Sequence, residues 1–170
     1  MARESVSEGF GYEDMGTVLW VPTLADPTKP TVAELAAGTP ITYDLYGATG
    51  YSLTPAETPR QITRYTLGQM LSAEGTVSYV LTLLYVFNRE TPTDAETTIG
   101  VRGTAGYIVH FLGYANGWEI AAGDVITDIV PVRTARSSVV PATANTEAHK
   151  TTSPSITGEV LHEIAVVAGA

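Results

Sequence analysis

"TVSYVLTLLYVF", residues 76–87, decides how this chain is read. Every odd position from Val77 to Phe87 is apolar. The even positions begin polar, at Thr76 and Ser78, and end apolar, at Leu84 and Val86. A period of two is the period of a strand, whose successive side chains point to opposite faces. Extended, the stretch spans about 40 Å, which is long for a domain of this size.

Working outward, the chain keeps the same character. "TVLWV" (17–21) predicts a first strand, closed by Pro22. "ITYDLY" (41–46) alternates, with Ile41, Tyr43 and Leu45 on one side. Further strands are predicted at 60–67, 106–112, 125–133 and 155–168, the last with a bend or bulge at Gly158. Gly123-Asp124 supplies the turn before Val125. Residues 47–60, "GATGYSLTPAETPR", carry glycines and prolines and predict a long loop. The Thr/Ala/Ser-rich residues 134–154 predict a second one, and the polar connection 88–104 a turn of helix around 94–99.

One helical signal interrupts this pattern, in "PTKPTVAELAAGTPIT" (27–42). Thr31 and Glu34 have the spacing of a capping box. Val32, Leu35 and Ala36 share one face, Gly38 suits a left-handed stop, and Pro40 blocks continuation. So short a helix is not stable alone in water, so Val32 and Leu35 are expected to pack it on a sheet. The predicted class is mainly β: a sandwich or barrel with a short flanking α-helix. Residues 1–16 predict a flexible N-terminal arm, with Phe10 and Tyr12 placed to dock on a neighbour, and 17–168 a single domain.

Composition narrows the function. The 170 residues contain no cysteine, which excludes disulfides and thiolate metal sites. Nine basic residues face eighteen acidic ones, a net charge of −9, with no Lys/Arg cluster along the sequence. Tight nucleic-acid binding needs clustered cations, so DNA would be repelled; plain solubility is the simpler use of the charge. Only 16% of residues are charged, against about 25% in an average domain, which suits a subunit whose faces are covered in an assembly. No stretch is long enough for a membrane helix. The N-terminus has no signal-peptide run, so synthesis in a cytoplasm is expected.

No constellation for catalysis emerges. His110, His149 and His162 are not spaced as a local zinc pair. "GFGYEDMG" (9–16) follows no strand and lacks the rest of a nucleotide-binding fingerprint. Glu119, Asp124 and Asp128 are a loose acidic group, better read as a solvated face or turn than as an acid–base pair or calcium site. No catalytic residue, metal or cofactor is expected.

"WVPTLADPTKPTVAELAAGTPIT" (20–42) resembles the opening of major tail tube proteins from long-tailed (siphovirus-type) phages of actinobacteria. "RGTAGYIVHF" (102–111), "WEIAAGDVITDIVPV" (118–132) and "ITGEVLHEIAVVA" (156–168) resemble later segments of that family, in the same order. The match is loose over 135–154, and the arm is longer than the family pattern. The resemblance implies a fold similar to type VI secretion tube proteins. It implies six copies in a ring and rings stacked into a hollow virion tail tube that carries DNA into the host without binding it specifically. The implied partners are other copies and the tail-tip (initiation), tape-measure and terminator proteins, with no membrane involved. Phe10, Tyr12, Tyr51 and Leu53 are then candidate inter-subunit contacts, and Asp44, on the polar side of its predicted strand, a candidate lumen-facing acid. Two other classes remain open on the sequence: a tail terminator or capsid decoration protein, and a monomeric β-sandwich binding module; an enzyme is not expected.

Overall fold

A computed structural model describes residues 15–66, 68–141 and 143–169. In chain order, the described residues form β1 (Gly16–Val21), α1 (Val32–Ala36), β2 (Thr39–Pro40), a 3-10 turn (Thr42–Asp44), β3 (Tyr51–Ile62) and β4 (Leu71–Val86). There follow α2 (Asp94–Thr98), β5 (Ala105–Leu112), β6 (Val125–Arg133), β7 (Ser138–Val139), β8 (His149–Thr152), β9 (Ser155–Ile156) and β10 (Leu161–Ala165). The fold is mainly β, built on two sheets with two very short helices. The described residues divide into two units.

The first unit comprises 15–42, 106–130 and 161–169. Its sheet runs β10-β6-β5-β1-β2. β1 lies antiparallel to β5, from Gly16↔Leu112 to Val21↔Tyr107, and β10 lies antiparallel to β6. The capping box forms in full: Glu34 N–H donates to the Thr31 hydroxyl, and the Glu34 carboxylate accepts from Thr31 N–H at 3.0 Å. That satisfies two of the donors a helix start leaves open. The entry to α1 is also stitched to the chain's last segment, Val32 N–H to Val167 O and Val167 N–H to Pro30 O. Leu35, 1% exposed, enters a core with Leu19, Val21, Val109, Phe111, Ile126 and Ile129, and Val32 packs against that core. Burial of a leucine contributes about 1.5–3 kcal/mol. Gly38 is not left-handed; α1 ends on Ala37 in the right-handed region. Gly38 is instead a close-approach residue, since a Cβ there would lie 3.0 Å from both Leu35 O and Val21 Cγ2.

The second unit comprises 43–66, 68–105, 131–141 and 143–160. Its sheet runs β3-β4-β8-β7, and β9 pairs with Val132 and Arg133 at the end of β6. Leu81, Leu83, Tyr85, Ala95 and Ile99 are buried. The Tyr85 hydroxyl donates to Ser137 Oγ at 2.7 Å. Lys150 is paired with Glu96 and lies 4.5 Å from the centre of the Phe87 ring.

Five predicted elements change. The predicted loop 134–154 contains β7 and β8, and among the described residues of the predicted strand 60–67 only Arg60–Ile62 is strand, as the end of β3. Residues 47–60 are no loop: from Tyr51 onward they belong to β3. Residues 41–46 form no strand. Ile41 N–H bonds to Val18 O, the chain then turns through Thr42–Asp44, and Tyr43 is exposed while Ile41 is buried. The last predicted strand divides into β9 and β10 around Gly158, where a Cβ would lie 3.1 Å from the Pro131 ring.

Candidate assembly surface

β3 and β4 form a long antiparallel hairpin, registered from Tyr51↔Leu83 to Ile62↔Leu71. β8 pairs with β4 only over Leu83–Val86. Among the described residues the hairpin beyond Leu83 is therefore a two-stranded ribbon. From Thr82 to Leu71 it extends about 35 Å. Its chemistry changes along its length. The base is core, with Leu81, Leu83 and Tyr85 buried, whereas farther out Val80 is 54%, Val77 47% and Leu71 46% exposed. A two-stranded ribbon is at best marginally stable in water, and an open edge invites another chain.

Local chemistry explains why these residues still form strands. β3 is the end strand of its sheet, and proline is tolerated on such a strand because its missing N–H removes no ladder bond there. Pro55 lies opposite Tyr79. Pro59 falls in a register shift between Thr58 and Arg60, which is a bulge. Two residues of β4, Glu74 and Gly75, stand against Pro59 alone, so Gly75 lies in the bulge, and a Cβ there would lie 1.7 Å from Thr58 O. Glycine is required because the two backbones meet.

Tyr51 and Leu53 are half-buried at the hairpin base, opposite Leu83 and Leu81. Phe10 and Tyr12 lie outside the described residues, as does the arm through residue 14; Met15 accepts from Gly113 N–H and leads into β1. Asp44 is half-buried on the 3-10 turn, where its carboxylate accepts from Ala95 N–H at 2.8 Å. With Thr93, whose hydroxyl accepts from Glu96 N–H, it caps α2. An acidic residue read only from strand alternation is thus tied to a helix start, a contact no local pattern reveals.

The loose acidic group resolves into separate tasks. Asp124 organises the turn before β6, accepting from Trp118 Nε1 at 3.0 Å and Ala121 N–H at 2.8 Å. Trp118 stacks on Tyr114 and meets the Phe111 ring edge-on. Glu119 is exposed. Asp128 lies between two histidines, 3.4 Å from His110 Nδ1 and 2.7 Å from His162 Nδ1. Burial alone would raise the Asp128 carboxyl, but the hydrogen bonds and positive charge from His110 and His162 outweigh it and hold it below its usual value. Hydrogen bonds from Ala25 and Thr31 lower the Glu34 carboxyl in the same way. Among the described residues no group of three or more His, Cys, Asp or Glu is placed to hold a metal ion.

An exposed apolar β ribbon is typical of a chain that pairs with another chain. Comparison with known families agrees with that class of protein: residues 13–169 match the model of the phage tail tube protein family. The chain belongs to that family, and its role is structural, in the virion tail. A search of curated proteins found no match.

Proposed function

We propose that six copies of this chain form a ring, and that rings stack into the hollow tail tube of a long-tailed phage of actinobacteria. The β3–β4 ribbon is the observation that supports this reading. Among the described residues no strand is added beyond β3, and Val77 and Val80 are exposed apolar side chains that a neighbouring copy would cover. Head-to-tail contacts between unlike surfaces give rings where the rotation closes, and the cores of such interfaces are poor in charged residues. Copies would be made in the host cytoplasm. They would join the tail-tip, tape-measure and terminator proteins on assembly. DNA would pass without specific binding, since a net charge of −9 offers it no counterion-release gain.

The test is the double variant V77D/V80D. These positions are already exposed, so the fold should keep its melting temperature within a few degrees. Sedimentation velocity should show loss of assembly. Assembly at the wild-type concentration would remove the ribbon from the subunit contact.

A further inference from the structure

The chain has nine basic residues, and three of them, Arg102, Arg133 and Arg136, line one cavity of about 920 Å³ in the second unit. Arg133 and Arg136 stand three residues apart in sequence, and the fold brings the distant Arg102 to them. No acidic side chain is among the described residues that line it. All three arginines are exposed, and among the described residues none of them is in an ion pair.

The cavity wall is built by its own hydrogen bonds. Thr134 is buried, at 3% exposure. Its N–H donates to Thr104 O and its carbonyl accepts from Gly103 N–H, each at 2.9 Å. Its hydroxyl accepts from Thr104 N–H at 2.9 Å and donates to the Val101 carbonyl. The loop bearing Arg102 is thereby fixed to the end of β6, which carries Arg133. Arg133 Nε donates to Gly103 O at 3.1 Å, which leaves its terminal nitrogens for another partner. Ser155 of β9, paired with Arg133, completes this side.

We propose that this arginine groove is a carboxylate-binding interface that receives an acidic surface of a second copy of the chain. Guanidinium groups bind carboxylates through paired N–H donors, and three together without a local counter-ion attract a group of negative charges. The volume is that of several residues of a protein segment, far more than one small anion needs. Every copy carries eighteen acidic residues, so an approaching copy supplies the complementary charge. DNA is the less favoured partner, because the chain's net charge of −9 opposes a long polyanion. The proposal rests on the tube reading, which provides the second copy.

Two variants test it. R102E/R136E should melt within a few degrees of the wild type, while the concentration needed for assembly rises about tenfold or more. R102K/R136K keeps the charge and supplies amines for a zero-length carbodiimide cross-link. In a mixture of isotope-labelled and unlabelled protein, that variant should give cross-links from position 102 or 136 to an Asp or Glu of a different copy. Wild-type tubes together with unchanged assembly of R102E/R136E would overturn this proposal and leave the tube reading standing. So would cross-links confined to single copies. So would charge reversal that abolishes binding to a short DNA duplex while sparing assembly. A wild type that stays monomeric at every concentration would overturn both readings.

Discussion

Gly75 and the Thr58 carbonyl face each other across the hairpin so closely that a Cβ at position 75 would lie 1.7 Å from that oxygen. The nearest atoms that a Cβ would meet are all backbone, so no flexible side chain can rotate out of the way. Gly75→Ala must therefore shift the bulge and re-aim the ribbon beyond it. The buried base, Leu81 to Tyr85, lies outside the disturbed rungs. We expect a melting temperature within a few degrees of the wild type and a clear loss of assembly by light scattering. Normal assembly of Gly75→Ala would show that the bulge has no part in the contact.

Leu35 is buried in the core of the first unit. Leu35→Asp places a carboxylate there without a partner, and such a change costs several kcal/mol. Little soluble, assembly-competent protein should result. Leu35→Ala should fold with a loss of about 2–5 kcal/mol in urea titration. Unchanged melting of either variant would mean that α1 does not dock as described.

Acid sensitivity should pass through Asp128. Its carboxyl is held below the usual value, so it contributes stability at pH values above the unfolded carboxyl's, about 3.9. That stability is lost as pH falls through the lower folded value. Glu34 adds a contribution of the same sign. Asp128→Asn should lower stability at pH 7 and flatten the decline of stability below about pH 4. The check is denaturant titration at a series of pH values. Equal pH dependence of variant and wild type would remove Asp128 from the linkage.

Local signals in the sequence were readable where the fold obeys local rules. The Thr31/Glu34 spacing forms the capping box, and the strands predicted at 17–21, 106–112 and 125–133 fall within a residue of β1, β5 and β6. The alternation of 76–87 locates β4, although that strand begins at Leu71. β3 was hidden because Pro55 and Pro59 read as breakers, and only its place at the sheet edge makes them tolerable. The clue was available in the partner: a strand as long as β4 needs another beside it, and Tyr51 and Leu53 keep the period of two. Residues 41–46 misled in the opposite sense. Their alternation is genuine, but Asp44 is used at the start of α2, fifty residues away in sequence, so the chain turns instead of extending. The arginine groove is only partly visible in the sequence: Arg133 and Arg136 are close neighbours in "RTAR", but Arg102 joins them only through β6 and the Thr134 contacts.

The most direct measurement is electron microscopy of the purified protein at rising concentration, with and without tail-tip proteins, and with V77D/V80D alongside. The wild type should form hollow tubes of stacked six-fold rings, and the variant should not. Wild-type protein that remains monomeric under every condition, or that forms rings which never stack, would contradict the account.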